Sequence, residues 1–389
     1  VHFLLLSMLL FYQLLVLGAL IVLGAILISN LIELRPLPPV REGSEGNGPM
    51  VSVLVPARNE EDTISRCIGS LQRQKYHDFE ILVLDDGSTD RTAEILRQLE
   101  TDGGGRVRTY SGEPLPEGWH GKSWACFQLA REARGDMFLF TDADTAHESD
   151  ALSRSVAALH ESGADMLSLT PFQELGSFWE KVVVPMVYVI LVSLLPLRLV
   201  RSSQRPSFCF ANGQFILFRR DFYSRFGGHE AVRCNLVEDV WLCMKVKSMG
   251  GRVAAFNGTD ALSCRMYRNF REVWAGFSKN LFAGLSYSIP SLVGMISFTL
   301  LLFVAPWIFM LTSVVAGSFG LAEFLLPLLQ IVLVLLSRVL IAFRFRQSVA
   351  FAMLDPLARL VLVAIALNSF RLMAWSSGAE WKGRRYKFS

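Results

Sequence analysis

An α/β domain held between membrane-embedded helices is the fold class that this sequence predicts, and three observations predict it. Hydrophobic residues make up 52% of the 389 and charged residues only 19%, against roughly 25% charged in an ordinary soluble chain. The apolar surplus is gathered into long uncharged runs near both ends. Between those runs, short β-branched stretches alternate with segments of helical periodicity, the order that builds an open α/β sheet. This composition excludes a disordered or collagen-like chain and an enzyme with a fully solvated surface. A net charge of +3 lacks the concentrated basic face of a nucleic-acid binder, so no nucleic-acid partner is expected. The six cysteines, Cys67, Cys126, Cys209, Cys234, Cys243 and Cys264, contain no C-x-x-C pair. They are too sparse for a disulfide scaffold and are expected to be reduced thiols.

Residues 1–32 come first. No charge falls between His2 and Glu33, and Phe3 to Ile28 is long enough to cross about 30 Å of hydrocarbon. The run exceeds a usual signal-peptide h-region and has neither a basic n-region nor a clear cleavage site, so an uncleaved transmembrane anchor is expected. Residues 33–49, rich in Pro, Gly and charge, read as a linker. Residues 50–288 have globular composition.

Charge then disappears between Lys279 and Glu323, and Gly317-Ser-Phe-Gly320 reads as the turn of a transmembrane helical hairpin over residues 289–346. Arg338, Arg344 and Arg346 lie at its far end, and Arg35 and Arg41 follow the anchor. By the positive-inside rule these ends are cytoplasmic. The expectation is a multi-pass protein of the inner (cytoplasmic) membrane whose central domain faces the cytoplasm. Residues 347–389 are expected to form an interfacial or re-entrant helix and a basic tail. Phe351 to Trp375 carries Asp355, Arg359 and Arg371, and the tail holds Lys382, Arg384, Arg385 and Lys387.

Within the central domain, Val51-Ser-Val-Leu-Val55 is a β-branched strand closed by Pro56. Asn59-Glu-Glu-Asp62 opens a helix whose apolar positions Ile64, Ile68 and Leu71 recur at helical spacing. Glu80-Ile-Leu-Val-Leu84 is the second strand and ends in Asp85-Asp86-Gly-Ser-Thr-Asp90, with a helix from Arg91 to Leu99 behind it. Met137-Phe-Leu-Phe140 is a further strand, ending in Thr141-Asp142-Ala-Asp144. Ligands of open α/β sheets bind at such carboxyl ends. Asp142 and Asp144 stand at alternate positions, where carboxylates can hold Mg²⁺ or Mn²⁺ together with phosphate oxygens. Taken singly, an Asp-x-Asp or an Asp-Asp-Gly-Ser is more often a capping or turn sequence. Glu238-Asp239, at the head of a helix from Leu236 to Lys247, equally suits the helix dipole.

Their combination and order change that balance. Val51-Ser-Val-Leu-Val-Pro-Ala-Arg-Asn-Glu60, Val-Leu-Asp85-Asp-Gly-Ser-Thr-Asp90, Thr-Asp142-Ala-Asp144 and Val-Glu238-Asp239 closely resemble the family 2 glycosyltransferases, from about Val51 to Gly284. Pro116-Glu-Gly-Trp-His-Gly-Lys-Ser-Trp-Ala125, Arg265-Met-Tyr-Arg-Asn269 with Gly276-Phe-Ser-Lys279, and Glu380-Trp-Lys-Gly-Arg-Arg-Tyr386 look like membrane-bound carotenoid glycosyltransferases of the diaponeurosporenoate or hydroxycarotene type. The resemblance implies a GT-A nucleotide-diphospho-sugar transferase domain over residues 50–288. It also implies an inverting hexosyltransferase, a UDP-sugar donor with glucose as the sugar, a Mg²⁺ or Mn²⁺ ion, and a lipid-like carotenoid acceptor bearing a hydroxyl or carboxylate.

The same resemblance assigns roles. Pro56, Arg58, Glu60, Asp86 and also Asp85 would contact the uracil and ribose. Asp142 would sit near the ribose and metal, and Asp144 would ligate the metal bridging the diphosphate. Lys122, in a Gly-containing loop leading into a helix, would reach a phosphate or stand as a solvated lysine. Single-displacement inversion needs a base opposite the leaving diphosphate, for which Asp239 is the choice, with Glu238 as its neighbour. An ionised carboxylate acceptor would need little help from a base, so an aspartate here favours a hydroxyl acceptor.

Many members of the family carry Gln-x-x-Arg-Trp before the membrane hairpin. Here the nearest match is Arg265-Met-Tyr-Arg268 followed by Asn269, which counts against a polysaccharide synthase. Arg265 and Arg268 either hold the diphosphate or acceptor or snorkel at the membrane surface. A transferase acting on hopanoid, polyprenyl-phosphate or glycerolipid acceptors is the main alternative, and a non-catalytic membrane scaffold is the alternative of another class. A nucleotidyltransferase would want a Gly- and basic-rich phosphate loop, which Pro56-Ala-Arg-Asn is not. The Asn257-Gly-Thr259 sequon is discarded for a cytoplasmic domain.

Val182 to Leu197 is uncharged and holds Pro185 and Pro196, and at 1.5 Å per residue it reaches about 24 Å. Asp142 and Asp144 precede it while Glu238 and Asp239 follow. A single crossing would divide one site between two sides of the membrane, so residues 182–197 are expected on the membrane surface.

Overall fold

In the computed structural model, residues 2–39, 48–375, 379–381 and 384–386 are described. Residues 40–47 of the linker and 376–378, 382–383 and 387–389 of the basic tail lie outside them. The chain divides into two units. One is Leu34–Glu174 with Leu197–Met266, and the other is Val1–Glu33, Leu175–Pro196 and Tyr267–Phe388.

The first unit is built on a seven-stranded sheet of β1 (Val51–Ala57), β2 (Phe79–Asp85), β3 (Val107–Ser111), β4 (Met137–Phe140), β6 (Met166–Thr170), β8 (Ile216–Arg219) and β9 (Val253–Asn257), in the order β3-β2-β1-β4-β8-β6-β9. β8 runs antiparallel to both its neighbours, and the other pairings are parallel. A second sheet holds β5 (Thr145–His147), β10 (Leu262–Cys264) and β7 (Phe172–Gln173). The strand period of two sorts the sequence onto two faces. Val51, Val53 and Val55 join Ile81 and Val83 in one core, while Leu54, Leu82 and Leu84 join Phe138, Phe140 and Phe218 in the other. Both faces are covered, which is why these strands read as apolar runs rather than as alternations.

β1 does not stop at Pro56 as its sequence predicts but runs on to Ala57. β4 pairs with β1 only as far as Leu54, so Pro56, which has no N–H, falls where one side of the strand carries no ladder. There the sheet opens, and the loops after β1 and β2 are tied together. Asn59, at φ 52°, donates its N–H to Ser88 Oγ at 2.9 Å and accepts the Thr89 N–H on Oδ1 at 2.8 Å. Those bonds compensate a left-handed backbone that Asn tolerates.

The second unit is helical. Among the described residues, four helices are long and apolar enough to cross a membrane: Leu4–Glu33, Ile289–Ala316, Leu321–Arg344 and Asp355–Ala374. Gly317, at φ 66°, caps the second of these with the left-handed turn that glycine supplies. Their outward residues are apolar, including Leu4, Phe11, Ile32, Val315 and Phe343. Polar side chains are spent inward on otherwise lost partners. Gln330 Nε2 donates to Gln13 O and Oε1, both at 2.9 Å, and Tyr12 donates to Leu301 O at 2.6 Å.

Three features differ from the sequence division. Residues 175–196 group with the helices rather than with the sheet, as do the described residues from Tyr267 onward. The uncharged segment 182–197 is not one helix: Phe178–Val183 and Met186–Leu194 are separated around Pro185. The longer of the two, at 1.5 Å per residue, spans about 14 Å, too short to cross. Asn30 Nδ2 donates to Val192 O at 2.9 Å and Leu195 O at 2.6 Å, satisfying carbonyls at the C-terminal end of that helix, and Tyr188 stacks on Phe345 at 4.1 Å. Asp355–Trp375, where an interfacial or re-entrant helix was expected, is one continuous helix, and its residues Asp355–Ala374 are by length and composition enough to cross a membrane. Two of its charges are paired inward, Asp355 with Arg359 at 2.6 Å and with Arg338 of the preceding long helix at 3.1 Å, all three buried, while Arg371 is exposed.

Candidate active site

The carboxyl end of the central strands forms a recess lined by Pro56 from β1, Phe140 to Asp142 after β4, Lys122, Gly213, His229 and Glu238. Lys122 is the second residue of the helix Gly121–Glu132, and Glu238 and Asp239 open the helix Glu238–Ser248. Residues far apart in sequence thus become one ion cluster. Lys122 Nζ stands 2.6 Å from Asp142 Oδ1 and 2.9 Å from Glu238 Oε1.

Asp239 turns the other way. Its Oδ2 accepts the Gly213 N–H at 3.0 Å and its Oδ1 accepts the Val240 N–H at 2.8 Å. The charges of the cluster shape one another. Burial alone would pull the Lys122 ammonium down, but Asp142 and Glu238 outweigh it and hold it well above the usual lysine value. Burial likewise pushes Glu238 up, and Lys122 more than reverses that, leaving Glu238 below the ordinary carboxylate range. Asp239 receives less of this help, so burial and then the Glu238 charge push it up to about 6. Two adjacent carboxylates are therefore driven apart, the pattern by which sites separate an ionised stabiliser from a titrating base.

Three residues of the recess were not singled out in the sequence. Gly213 supplies the N–H to Asp239, and a Cβ there would stand 3.1 Å from Lys122 Nζ and 3.5 Å from Asp239 Oδ2. The Asn212-Gly213 dipeptide, a turn signal, could have drawn attention to it. His229 is buried, and burial lowers it to about 3, so it is neutral. The Tyr223 hydroxyl accepts the His229 backbone N–H at 3.1 Å and lies 2.8 Å from Nδ1. Donation to Nδ1 leaves the imidazole proton on Nε2. Thr141 donates to Gln214 O at 2.8 Å and lies 3.2 Å from His147 Nε2, bracing the loop that carries Asp142. His229 carries no motif that would have marked it, and Thr141 heads the Thr141-Asp142-Ala-Asp144 motif without having been given a role of its own.

The sequence-predicted residues fall into groups. Pro56, Lys122, Asp142 and Glu238 meet in the recess, with Asp239 adjoining. Arg58, Glu60, Asp85 and Asp86 lie in the stitched loops after β1 and β2. Arg58 donates to the carbonyls of Asp86 and Gly87, Thr63 Oγ1 donates to Glu60 at 2.9 Å, and Asp85 Oδ1 accepts the Ser88 N–H at 3.0 Å. Asp144 reaches the Cys264 thiol, whose pKa is held well above its usual value by burial, with Asp144 adding to the effect. Arg265 adds to the charge that holds the Glu174 carboxylate below the usual range, after the Arg66 hydrogen bond. Arg268 belongs to the helical unit, where its backbone N–H donates to Glu272 at 2.8 Å.

Residues 52–227 match the model of glycosyl transferase family 2. This segment is a family 2 glycosyltransferase domain. The 4,4'-diaponeurosporenoate glycosyltransferase of Staphylococcus haemolyticus is 26% identical over 356 residues, covering 86% of this chain and 88% of that protein. The enzyme of the same name from Staphylococcus aureus is 24% identical over 352 residues, covering 88% and 90%. Among solved structures, the Pyrobaculum calidifontis mannosyltransferase PcManGT, in complex with GDP-Man and Mn²⁺, superposes with a TM-score of 0.55 at 19% identity, covering 93% of this chain and 98% of that one. The mixed sheet with acids at its carboxyl end is the GT-A fold that the resemblance implied.

For a glycosyltransferase of this fold the metal question is one of donor chemistry. Among the described residues no group of three or more His, Cys, Asp or Glu side chains is placed to cage an ion. A hard divalent cation does not need one, since it takes one or two carboxylates and completes its shell with phosphate and water oxygens. Asp142, 26% exposed at the recess, and Asp144 two residues on fit that open type.

Proposed function

We propose that this glycosyltransferase moves glucose from UDP-glucose onto a carotenoid acceptor in the membrane, inverting the anomeric centre. One observation carries the reading. Asp239, the carboxyl pushed up toward neutrality, stands beside an ion cluster at the carboxyl end of a GT-A sheet, in a chain whose relatives over most of its length are named diaponeurosporenoate glycosyltransferases. Four helices of spanning length support action at a membrane. The arginine distribution supports a cytoplasmic face of an inner membrane, where a nucleotide-sugar is available.

In this reading Pro56, Arg58, Glu60, Asp85 and Asp86 receive the uridine. Asp142 and Asp144 hold Mg²⁺ or Mn²⁺, which when bound offsets charge building on the leaving diphosphate. Lys122 supplies a point charge to a phosphate, and Glu238, kept ionised, holds Lys122 in place. The acceptor oxygen bonds to the anomeric carbon as the bond to the diphosphate breaks, and UDP leaves with that electron pair. With a hydroxyl acceptor the proton passes to Asp239 Oδ, whose raised pKa suits a base working near neutral pH. With a carboxylate acceptor no proton moves. Arg265 is assigned to the diphosphate or acceptor, and Arg268 to the membrane surface.

The test is to incubate membranes containing the protein with radiolabelled UDP-glucose and separate the extracted pigments and lipids. Label in a carotenoid fraction supports the reading. Label confined to hopanoid, polyprenyl-phosphate or glycerolipid fractions transfers it to those acceptors, and no label with any acceptor removes it.

A further inference from the structure

One polar group of the sheet unit's recess has no part in the sugar transfer described above. His229 is 2% exposed and lines the recess beside Lys122, Asp142, Gly213 and Glu238. Its ring packs 4.5 Å from that of Phe140. Gly227 and Gly228, at φ 82° and 51°, turn the chain over Tyr223, and a Cβ on Gly228 would stand 2.6 Å from the Tyr223 hydroxyl oxygen. That hydroxyl therefore reaches both the backbone N–H and Nδ1 of His229, at 3.1 and 2.8 Å.

The double contact fixes where the imidazole proton sits. The hydroxyl accepts the backbone N–H and has one proton to give, for which Nδ1 is the acceptor in reach. The opposite tautomer would give this buried hydroxyl two N–H donors and leave its own proton without an acceptor among the described residues. It would also turn a bare Nε2 lone pair toward the acids of the recess. Nε2 thus carries the proton, and it makes no hydrogen bond within the described residues.

The acid closest in effect is Glu238, since each of the two residues acts electrostatically on the other. The Glu238 carboxylate is held by Lys122 at 2.9 Å and by its own backbone N–H. A carboxylate has about four acceptor positions, so two donors leave space for another. The recess that the two side chains share has room for about one water molecule. A buried water needs two to four polar partners, and the Nε2–H, the Glu238 carboxylate and the Lys122 ammonium supply three.

We infer that His229 is a positioning residue: its Nε2–H, aimed by the Tyr223 hydroxyl, holds the Glu238 carboxylate through one bridging water and keeps it turned to Lys122. The test uses the full chain in a neutral detergent with its six histidines labelled with ¹⁵N. Two-bond ¹H–¹⁵N correlation spectra separate Nε2–H from Nδ1–H imidazoles, and His229→Phe identifies the His229 signals by their loss. If that variant does not fold, His229→Gln makes the same assignment. The expected result is a neutral Nε2–H imidazole whose signal moves in Glu238→Gln, and the Nδ1–H form should enter in Tyr223→Phe. An Nδ1–H imidazole in the native chain, or an Nε2–H signal indifferent to Glu238→Gln, would overturn the inference.

The kinetic arm rests on the catalytic reading. His229→Phe should lower kcat with UDP-glucose about tenfold or more without lowering the melting temperature, because no N–H bonded within the protein is lost from Nε2. His229→Gln returns an N–H donor and should keep at least a third of native kcat. Full kcat in folded His229→Phe, or a His229→Gln as slow as His229→Phe, would also overturn the inference. A native chain that transfers no glucose removes the catalytic reading and leaves the spectra to decide this one.

Discussion

Lys122 Nζ lies 2.6 Å from Asp142 Oδ1, a link between the start of a helix and the end of a strand twenty residues later. The same ammonium reaches Glu238 at 2.9 Å, so a single cation holds together the acids of two motifs. Without it, Asp142, Glu238 and Asp239 would crowd one recess as like charges.

Lys122→Met is therefore expected to lower kcat/KM by at least a hundredfold, while Lys122→Arg retains part of the activity. Breaking a buried pair costs about 3–5 kcal/mol. The lysine side chain is 36% exposed, which reduces the expected loss of stability to about 1–2 kcal/mol. Steady-state kinetics and denaturant unfolding of both variants check this.

Asp239→Asn should cut turnover of a hydroxyl acceptor by 10²–10⁴ while leaving nucleotide-sugar affinity within about threefold. In the native enzyme that activity should rise with pH through about 6, as the base loses its proton. Normal turnover by the variant with the true acceptor would exclude Asp239 as base and favour an acceptor already ionised.

The same residue makes a stability prediction of opposite sense. Folding raises the Asp239 pKa above its unfolded value, so its contribution is most favourable at low pH and is lost as pH rises through about 6. Asp239→Asn should therefore be more thermostable than the native chain at pH 7.5, with the difference shrinking toward pH 4. Melting temperatures at both pH values decide it.

Gly213→Ala would place a methyl group 3.1 Å from Lys122 Nζ and 3.6 Å from Glu238 Oε1. The expected outcome is a fall in kcat of about tenfold or more, roughly 1.4 kcal/mol of barrier, with little change in melting temperature. A large loss of stability with intact specific activity would show that the glycine serves the fold instead.

Asn30→Leu removes the donor shared by Val192 O and Leu195 O within the helical unit. Polar contacts in such settings contribute about 0.6–1.7 kcal/mol each. A lower thermal transition in detergent, with unchanged affinity for UDP-glucose, is the expected result.

Much of the sheet was legible because its physics is local. Val51 to Val55 and Glu80 to Leu84 are apolar on both faces, and their ends are marked by turn-forming Asp, Gly and Ser. The extension of β1 through Pro56 was not legible, because it depends on how far β4 pairs alongside. Asp142, Glu238 and Asp239 stood out as motif residues. The Gly213 N–H and the His229–Tyr223 pair did not, since what they do arises only when the turn before β8 and the segment after it fold onto the recess.

By itself the sequence determined which stretches are apolar enough to leave water, where strands and helices alternate, and which acids fall at strand ends, since each of these follows from composition and short-range periodicity. Tertiary structure alone decided the remainder. It set Lys122 between Asp142 and Glu238, acids 96 residues apart in sequence, and it raised Asp239 while lowering Glu238, because burial and neighbouring charge are properties of the folded environment. It also drew residues 175–196 to the helices and buried Arg338 against Asp355 and Arg359, which a hydropathy pattern reads only as charges near helix ends.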